Sequence, residues 1–377
     1  MRNKQVAVFY GDDASPEVMQ PTVDLLRSMN LGIDFIEPLV GPAAQDAPGT
    51  LFPYAAKAQI DSADATFFGS TSGDSTPVLF YLRWGKQTFA NVRPCLYVPG
   101  FNSPMANPTG IDFAIIRENL EDLYLGLEGD TEDLAGLNLY SRHARANLSD
   151  LGPGKYAIKA ITEQGSRRVI RYAFELARQR GQQKKVTVTC KYNMLAVADG
   201  LFLEIGKQIA QEYPDVAFEH FIIDDFLCRM ITDPHNLDVV VMPNLYGDIM
   251  SDGAAGLIGG LGLAPSGCFG EDYAYFESAH GTAPDIAGKN IINPTATILS
   301  AAMLLDYLAK DEAARSLRQA VAAVYADTSN LTADQGGSAS TTDFFAALRT
   351  NLPDAPAINP DTSISSKRPD LYLIVDT

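Results

Sequence analysis

The chain has 377 residues, 46% of them hydrophobic and 20% charged, with a formal net charge of −17 at pH 7. That length predicts roughly two or three domain-sized units, and the charge argues against nucleic acid and anionic membrane surfaces as partners. Cys95, Cys190, Cys228 and Cys268 form no CxxC pair and no Cys/His metal spacing, MRNKQVAVFYGDD has no apolar leader and no run is long enough to span a bilayer, so the expected setting is a reducing, cytoplasmic one.

QVAVFY (5–10) has the pattern of a short buried strand, and polar GDDASP follows it. Pro16 suits the first turn of a helix over EVMQPTVDLLRSM. GIDFIEPLV, SADATFFGS, VRPCLYVPG and DFAIIREN read as further strands. Residues 137–160, LNLYSRHARANLSDLGPGKYAIKA, are polar and turn-rich; they read either as a projecting hairpin or as a long surface loop. RRVIRYAFELARQRG is an amphipathic helix closed by Gly181. KKVTVTCKYN returns to strand, LFLEIGKQIAQEY to helix, AFEHFIIDD to strand, and LDVVVMPN is again a strand. NPTATILSAAMLLDYLAK is a helix, and the Pro-rich tail ends in strand-like LYLIV, which is expected to dock on the body. Strands alternating with helices predict an α/β protein with a largely parallel sheet.

No GxGxxG and no GxxxxGK[ST] occurs, so neither a Rossmann dinucleotide fold nor a P-loop has local support. NLYGDIMSD (244–252) places Asp248 and Asp252 on one helix face, where like charges repel. They read either as a solvated face or as ligands of a hard divalent cation, for which carboxylate oxygens are suited. IIDDFL offers a third carboxylate at a strand end. Arg83, Arg93 and Arg117 lie near strand or loop boundaries among apolar neighbours. They read as scattered ion pairs or as a guanidinium cluster for a di- or tricarboxylate. Lys191 closes a strand, where α/β ligand sites gather, and with Tyr124 it offers a base and an acid. FESAHGTAPDIAGKNIINP (276–294) is a loop of small residues able to wrap an adenine nucleotide.

Order and spacing join these pieces. NLYGDIMSDGAAGLIGGLGLAPS resembles the signature NLxGDIxSDxxAxLxGxLGLxPS of the isocitrate/isopropylmalate dehydrogenases, which decarboxylate their substrates as they oxidise them. LRWGKQTFANVRP, RENLEDLYLGLE and KYN match that family's further motifs in order. The resemblance implies the family's two-domain α/β fold rather than a Rossmann domain. It places a cofactor-side domain at 1–99 and 259–377 and a dimerisation domain at 100–258, with an arm near 137–160 clasping the partner. It implies Mg²⁺ or Mn²⁺ on Asp224, Asp248 and Asp252, substrate on Arg83, Arg93, Arg117, Leu79 and Thr76, and catalysis by Tyr124 and Lys191. Lys191 and Asp224 would reach the neighbouring subunit's site, making a homodimer with shared sites. NAD is implied by Asp285, an acid that would repel a 2′-phosphate, with Glu277, His280, Gly281, Thr282, Ala283 and Asn293 around it.

The expected reaction is oxidative decarboxylation of a malate-type 2-hydroxy acid. Isocitrate is narrowly favoured over 3-isopropylmalate, homoisocitrate, tartrate/D-malate or an analogue. The remaining alternative, a non-catalytic subunit of a hetero-oligomeric dehydrogenase, sits poorly with the retained Tyr124, Lys191 and three aspartates. Three departures stand out. Asp13 and Ser15 replace the usual glycines of the first loop, and Leu120 replaces a common threonine. GSTSGDSTPVLFYLRW (69–84) is shorter than usual, with Pro77 and Leu79 where isocitrate enzymes place Ser and Asn. Ser72, Ser75 and Thr76 are the replacement hydroxyls on offer there.

Overall fold

The computed structural model describes residues 2–44 and 51–352; the expected LYLIV strand lies outside them. The strands are β1 (Lys4–Phe9), β2 (Ile33–Ile36), β3 (Ala65–Phe68), β4 (Ala90–Leu96), β5 (Asp112–Glu118), β6 (Glu128–Asp130), β7 (Tyr140–Ser141), β8 (Ala146–Asn147), β9 (Lys155–Ala157), β10 (Lys185–Cys190), β11 (Ala217–Ile222), β12 (Val239–Met242), β13 (Pro265–Phe269) and β14 (Ala274–Ser278). Ten of them form one sheet in the order β11-β10-β12-β5-β4-β13-β14-β3-β1-β2. Both flanks are parallel, as the βα alternation predicts. The centre is not: β5–β4, β4–β13 and β13–β14 are antiparallel. That centre separates this fold from a doubly wound Rossmann sheet. The expected boundary at 99/100 falls between β4 and β5, which pair along their whole length, so the sheet runs unbroken through both expected units.

Helices bury the sheet. Glu163–Arg180 starts at Thr162, whose hydroxyl accepts from Gly165 N at 3.0 Å, and ends at Gly181 with φ 63. It packs on β5, β10 and β12 through residues such as Val169, Ala173 and Phe174. Arg180 is buried at its end, paired to Asp238 at 2.8 Å and Asp112 at 2.9 Å. β11 is shorter than expected. The chain turns at Ile222, and Asp224 and Asp225 occupy the first turn of the helix Ile223–Thr232, where a helix dipole favours acids. β13 and β14 were not foreseen, being short and without alternation. Residues 137–160 hold the β7–β8 hairpin, inside the outer β6–β9 pair. That is the hairpin reading, and Leu137, Tyr140 and Leu151 on it are more than half exposed.

The helix Asn244–Ile258 lies on β4, β5 and β12. Gly247 allows this approach, because a Cβ there would sit 2.5 Å from the Cβ of Arg117. Gly247→Ala is expected to destabilise the fold by about 1–3 kcal/mol, the usual range for overpacking. Urea unfolding at fixed protein concentration checks it; an unchanged midpoint would refute this packing account.

Candidate active site

The site begins with strand register. Arg117 on β5 lies opposite Asn91 on β4, and Arg93 lies opposite Ile115. Arg93 and Arg117 are thus diagonal neighbours on one face of an antiparallel pair. The helix Asn244–Ile258 crosses that face and takes up their donors. Arg117 Nε donates to Asn244 Oδ1 at 2.8 Å, and its guanidinium pairs with Asp248. Arg93 donates to Ser251 Oγ at 2.7 Å and Asp252 Oδ1 at 3.1 Å, with Nη2 3.5 Å from Asp248. Tyr124 donates its hydroxyl to the other oxygen of Asp248, and its ring lies 4.8 Å from the Arg117 guanidinium carbon. Arg83, on a widened turn over Tyr81–Gly85, reaches Tyr275 Oη at 3.3 Å.

Charge sets the protonation of this group. Burial, and then Arg93 beside it, lower the pKa of Arg117. Burial would raise that of Asp248, but Arg117, the Tyr124 hydroxyl and Arg93 outweigh it and hold the carboxylate ionised. Burial raises the pKa of Asp252, with Asp248 adding to it against Arg93. Burial and the hydrogen bond to Asp248 raise that of Tyr124 and keep it a donor. Burial also raises that of Glu277, against Arg83 and Arg93.

A cavity of about 200 Å³ opens above these side chains. Of the expected residues, Leu79, Arg83, Arg93, Arg117, Tyr124, Asp248, Glu277, His280 and Gly281 line it. Phe68, Ser70 and Thr71 line it too and were not singled out from sequence. Their signal was position, since Phe68 ends the parallel strand β3 and Ser70 and Thr71 follow its carboxyl end. Thr76 opens the helix Thr76–Phe80 and is not among the lining residues, and neither is Ser72 or Ser75.

Lys191 and Asp224 stand apart from this cavity. They pair with each other, and that contact holds the Asp224 carboxyl below its usual range. Among the described residues no group of three acidic, His or Cys side chains gathers as a metal site. Asp248 and Asp252 nevertheless fit a hard cation. They are oxygen donors one helical turn apart, partly exposed, and share Arg93 as a counter-charge.

The nucleotide-type loop follows β14. Ser70 Oγ donates to the His280 carbonyl at 2.7 Å, burial lowers the pKa of His280, and Ala14 N donates to the Thr282 carbonyl at 3.0 Å. Ala283 has φ 51, and Asp285 is exposed on the turn Pro284–Ile286. Glu17 fastens the loop from below, accepting from Gly288 N at 2.6 Å and Asn290 N at 2.9 Å. The Asn293 amide nitrogen is committed inward, to Tyr325 Oη at 3.1 Å and Asp334 Oδ2 at 2.9 Å.

Known proteins resemble this chain along nearly all its length. The family model described as isocitrate/isopropylmalate dehydrogenase matches residues 5–348. The 3-isopropylmalate/3-methylmalate dehydrogenase of Methanocaldococcus jannaschii is 38% identical over 340 residues, 89% of this chain and 95% of that protein. The isocitrate/homoisocitrate dehydrogenase of Thermus thermophilus is 37% identical over 350 residues, covering 91% and 97%. The crystal structure of isocitrate dehydrogenase from Methylococcus capsulatus matches with TM-score 0.80 at 34% identity, over 93% of this chain and 99% of that one. With its mixed ten-stranded sheet and its arginine cavity beneath the Asp248 helix, the chain belongs to the isocitrate/isopropylmalate dehydrogenase family.

Proposed function

We propose that the chain oxidatively decarboxylates a malate-type 2-hydroxy acid with NAD⁺ and Mg²⁺ or Mn²⁺. One observation carries this: Arg83, Arg93 and Arg117 converge with Tyr124 and Asp248 on one cavity. Buried guanidinium groups suit planar carboxylates, to which they bond in bidentate fashion. Arg93 Nε and Arg117 Nη2 are buried donors with no acceptor among the described residues, which suits substrate oxygens. Tyr124, kept protonated by burial and Asp248, is the proton donor to the enol carbon. Lys191 is the base for the 2-hydroxyl proton. Asp248 and Asp252, with the partner's copy of the Asp224 position, would hold the cation. When bound, the cation supplies Lewis acidity for alkoxide and enolate charge, and the dinucleotide accepts the hydride.

The apolar part of the cavity suits an uncharged substituent at carbon 3 of the substrate. Leu79 and Phe68 face it, and the nearby hydroxyls already donate inside the protein, Ser70 to His280 O and Thr71 to Asp12. A 3-alkylmalate therefore ranks first. Isocitrate, favoured by the sequence motifs, is the second reading, because the cavity carries three cations for its carboxylates.

The separation of Lys191 and Asp224 from the arginine cavity supports a homodimer with shared sites. So do Val197 at 90%, Ile249 at 56% and Met194 at 55% exposure, near the Lys191 and Asp248 segments. The exposed arm leucines suit a clasp onto the partner subunit. No helix among the described residues is long and apolar enough to cross a membrane, and the four thiols are unpaired. The unpaired thiols accord with a reducing compartment.

NADH formation with Mn²⁺ across 3-isopropylmalate, 3-methylmalate, isocitrate, homoisocitrate, D-malate and tartrate tests the reaction. Turnover fastest with an alkylmalate and abolished by EDTA is expected. Preference for isocitrate would sink the alkyl assignment alone, and turnover undiminished by EDTA would sink the metal-dependent mechanism. Tyr124→Phe and Lys191→Met should each lower kcat by about a hundredfold or more, the scale of lost acid–base catalysis. Mixing the two inactive chains should restore activity through hybrid dimers with one intact site. No recovery after verified subunit exchange would exclude shared sites. Asp285→Ser should raise KM for NAD⁺ by about tenfold, the scale of one lost charge-assisted hydrogen bond. An unchanged KM would remove Asp285 from the cofactor site.

A further inference from the structure

One half-buried cation has no part in the chemistry above. Lys159 lies just past β9, at the base of the arm, where Ala160 bridges to Asp122. Its ammonium sits 2.7 Å from Asp199 Oδ1 and 3.5 Å from Asp122 Oδ1, and both carboxylates are fully buried. It also lies 4.2 Å from the ring centroid of Tyr246.

The other oxygen of each carboxylate holds a backbone amide. Asp199 Oδ2 accepts from Lys191 N at 2.7 Å. Asp122 Oδ2 accepts from Leu245 N at 3.0 Å, in the first turn of the helix that carries Asp248. Asp122 Oδ1 accepts from Leu123 N at 2.9 Å, next to Tyr124. Asp122 itself is held at φ 68, ψ −146, a conformation that L-residues rarely adopt. Two buried acids without their cation would repel each other, so these anchors depend on the ammonium between them.

We propose that Lys159 is a positioning residue. Its charge fixes the backbone that carries Lys191 against the backbone that carries Tyr124 and Asp248. The inference rests on the roles given to those three residues above. In a dimer with shared sites they serve two different active sites, so Lys159 is a polar link between them. Its reach is short: one ammonium, two carboxylates, three amides.

Lys159→Met tests this in the full-length chain, by steady-state kinetics and by amide hydrogen exchange read by mass spectrometry. Misplacement of catalytic groups predicts kcat lower by about tenfold to a hundredfold, with substrate KM nearly unchanged. Exchange should quicken in the peptides holding Lys191 and Leu245 together. Lys159→Arg, which keeps the charge, should recover most of kcat. A wild-type kcat in Lys159→Met, or exchange altered in only one of the two peptides, overturns the proposal. Should wild-type protein turn over none of the acids, the proposed function fails, and the exchange measurement still decides the role of Lys159. Should Lys159→Met not fold, Asp199→Asn decides it. Exchange should then quicken at Lys191 while Leu245 stays protected, and any other pattern overturns the link.

Discussion

Three guanidinium groups facing one cavity repel one another, and the fold is arranged to hold them there. Burial and Arg93 both act against the charge on Arg117. Asp248 supplies the central counter-charge, accepting from Arg117 and Tyr124 while Arg93 stands 3.5 Å away. On the far side, Tyr275 and Glu277 face Arg83 and outweigh the burial that would weaken its charge. Removing one acid would leave buried cations unpaired, which is far costlier than losing an exposed ion pair. The antiparallel β4–β5 register, the bare Cα of Gly247 and the Asn244 amide all serve this packing.

Much of this was legible in the sequence because the chemistry sits in contiguous motifs. REN on β5 and NLYGD on the adjoining helix supply three interacting side chains, Arg117, Asn244 and Asp248, and each motif has a fixed local geometry. The flanking parallel strands were legible from βα alternation. The antiparallel centre was not, since β13 and β14 are short, fully buried and without a period. Nor was the helix after Ile222, where strand-like FII runs directly into a first turn that carries Asp224 and Asp225. Lys159 gave no signal, because its partners Asp122 and Asp199 are remote in sequence and each looks like an ordinary surface acid. Asn293, expected beside the cofactor, donates its side-chain amide inward to Tyr325 and Asp334, partners that its motif does not contain.

The departures from the family pattern have local physical accounts. Asp13 has φ 54, the left-handed region in which glycine is at ease and aspartate is tolerated. Its neighbour Asp12 accepts from Thr71 Oγ1, Ser72 N and Gly73 N at 2.6, 2.9 and 3.0 Å. Asp13 accepts from the Ser72 hydroxyl at 3.2 Å. The shortened 69–84 segment is thus tied down by the acidic loop before the first helix. Leu120, in place of threonine, is buried, and its carbonyl accepts from the Trp84 indole at 3.0 Å.

The arginine cavity also bears on what leaves it. Its positive charge is fixed, since guanidinium groups do not titrate in the physiological range. In the proposed reaction a malate-type 2-hydroxy acid enters with one carboxylate more than the keto acid that departs, because the lost group leaves as neutral CO₂. The same three arginines therefore attract the incoming ligand more strongly than the outgoing one. That difference favours release of the product over release of the substrate.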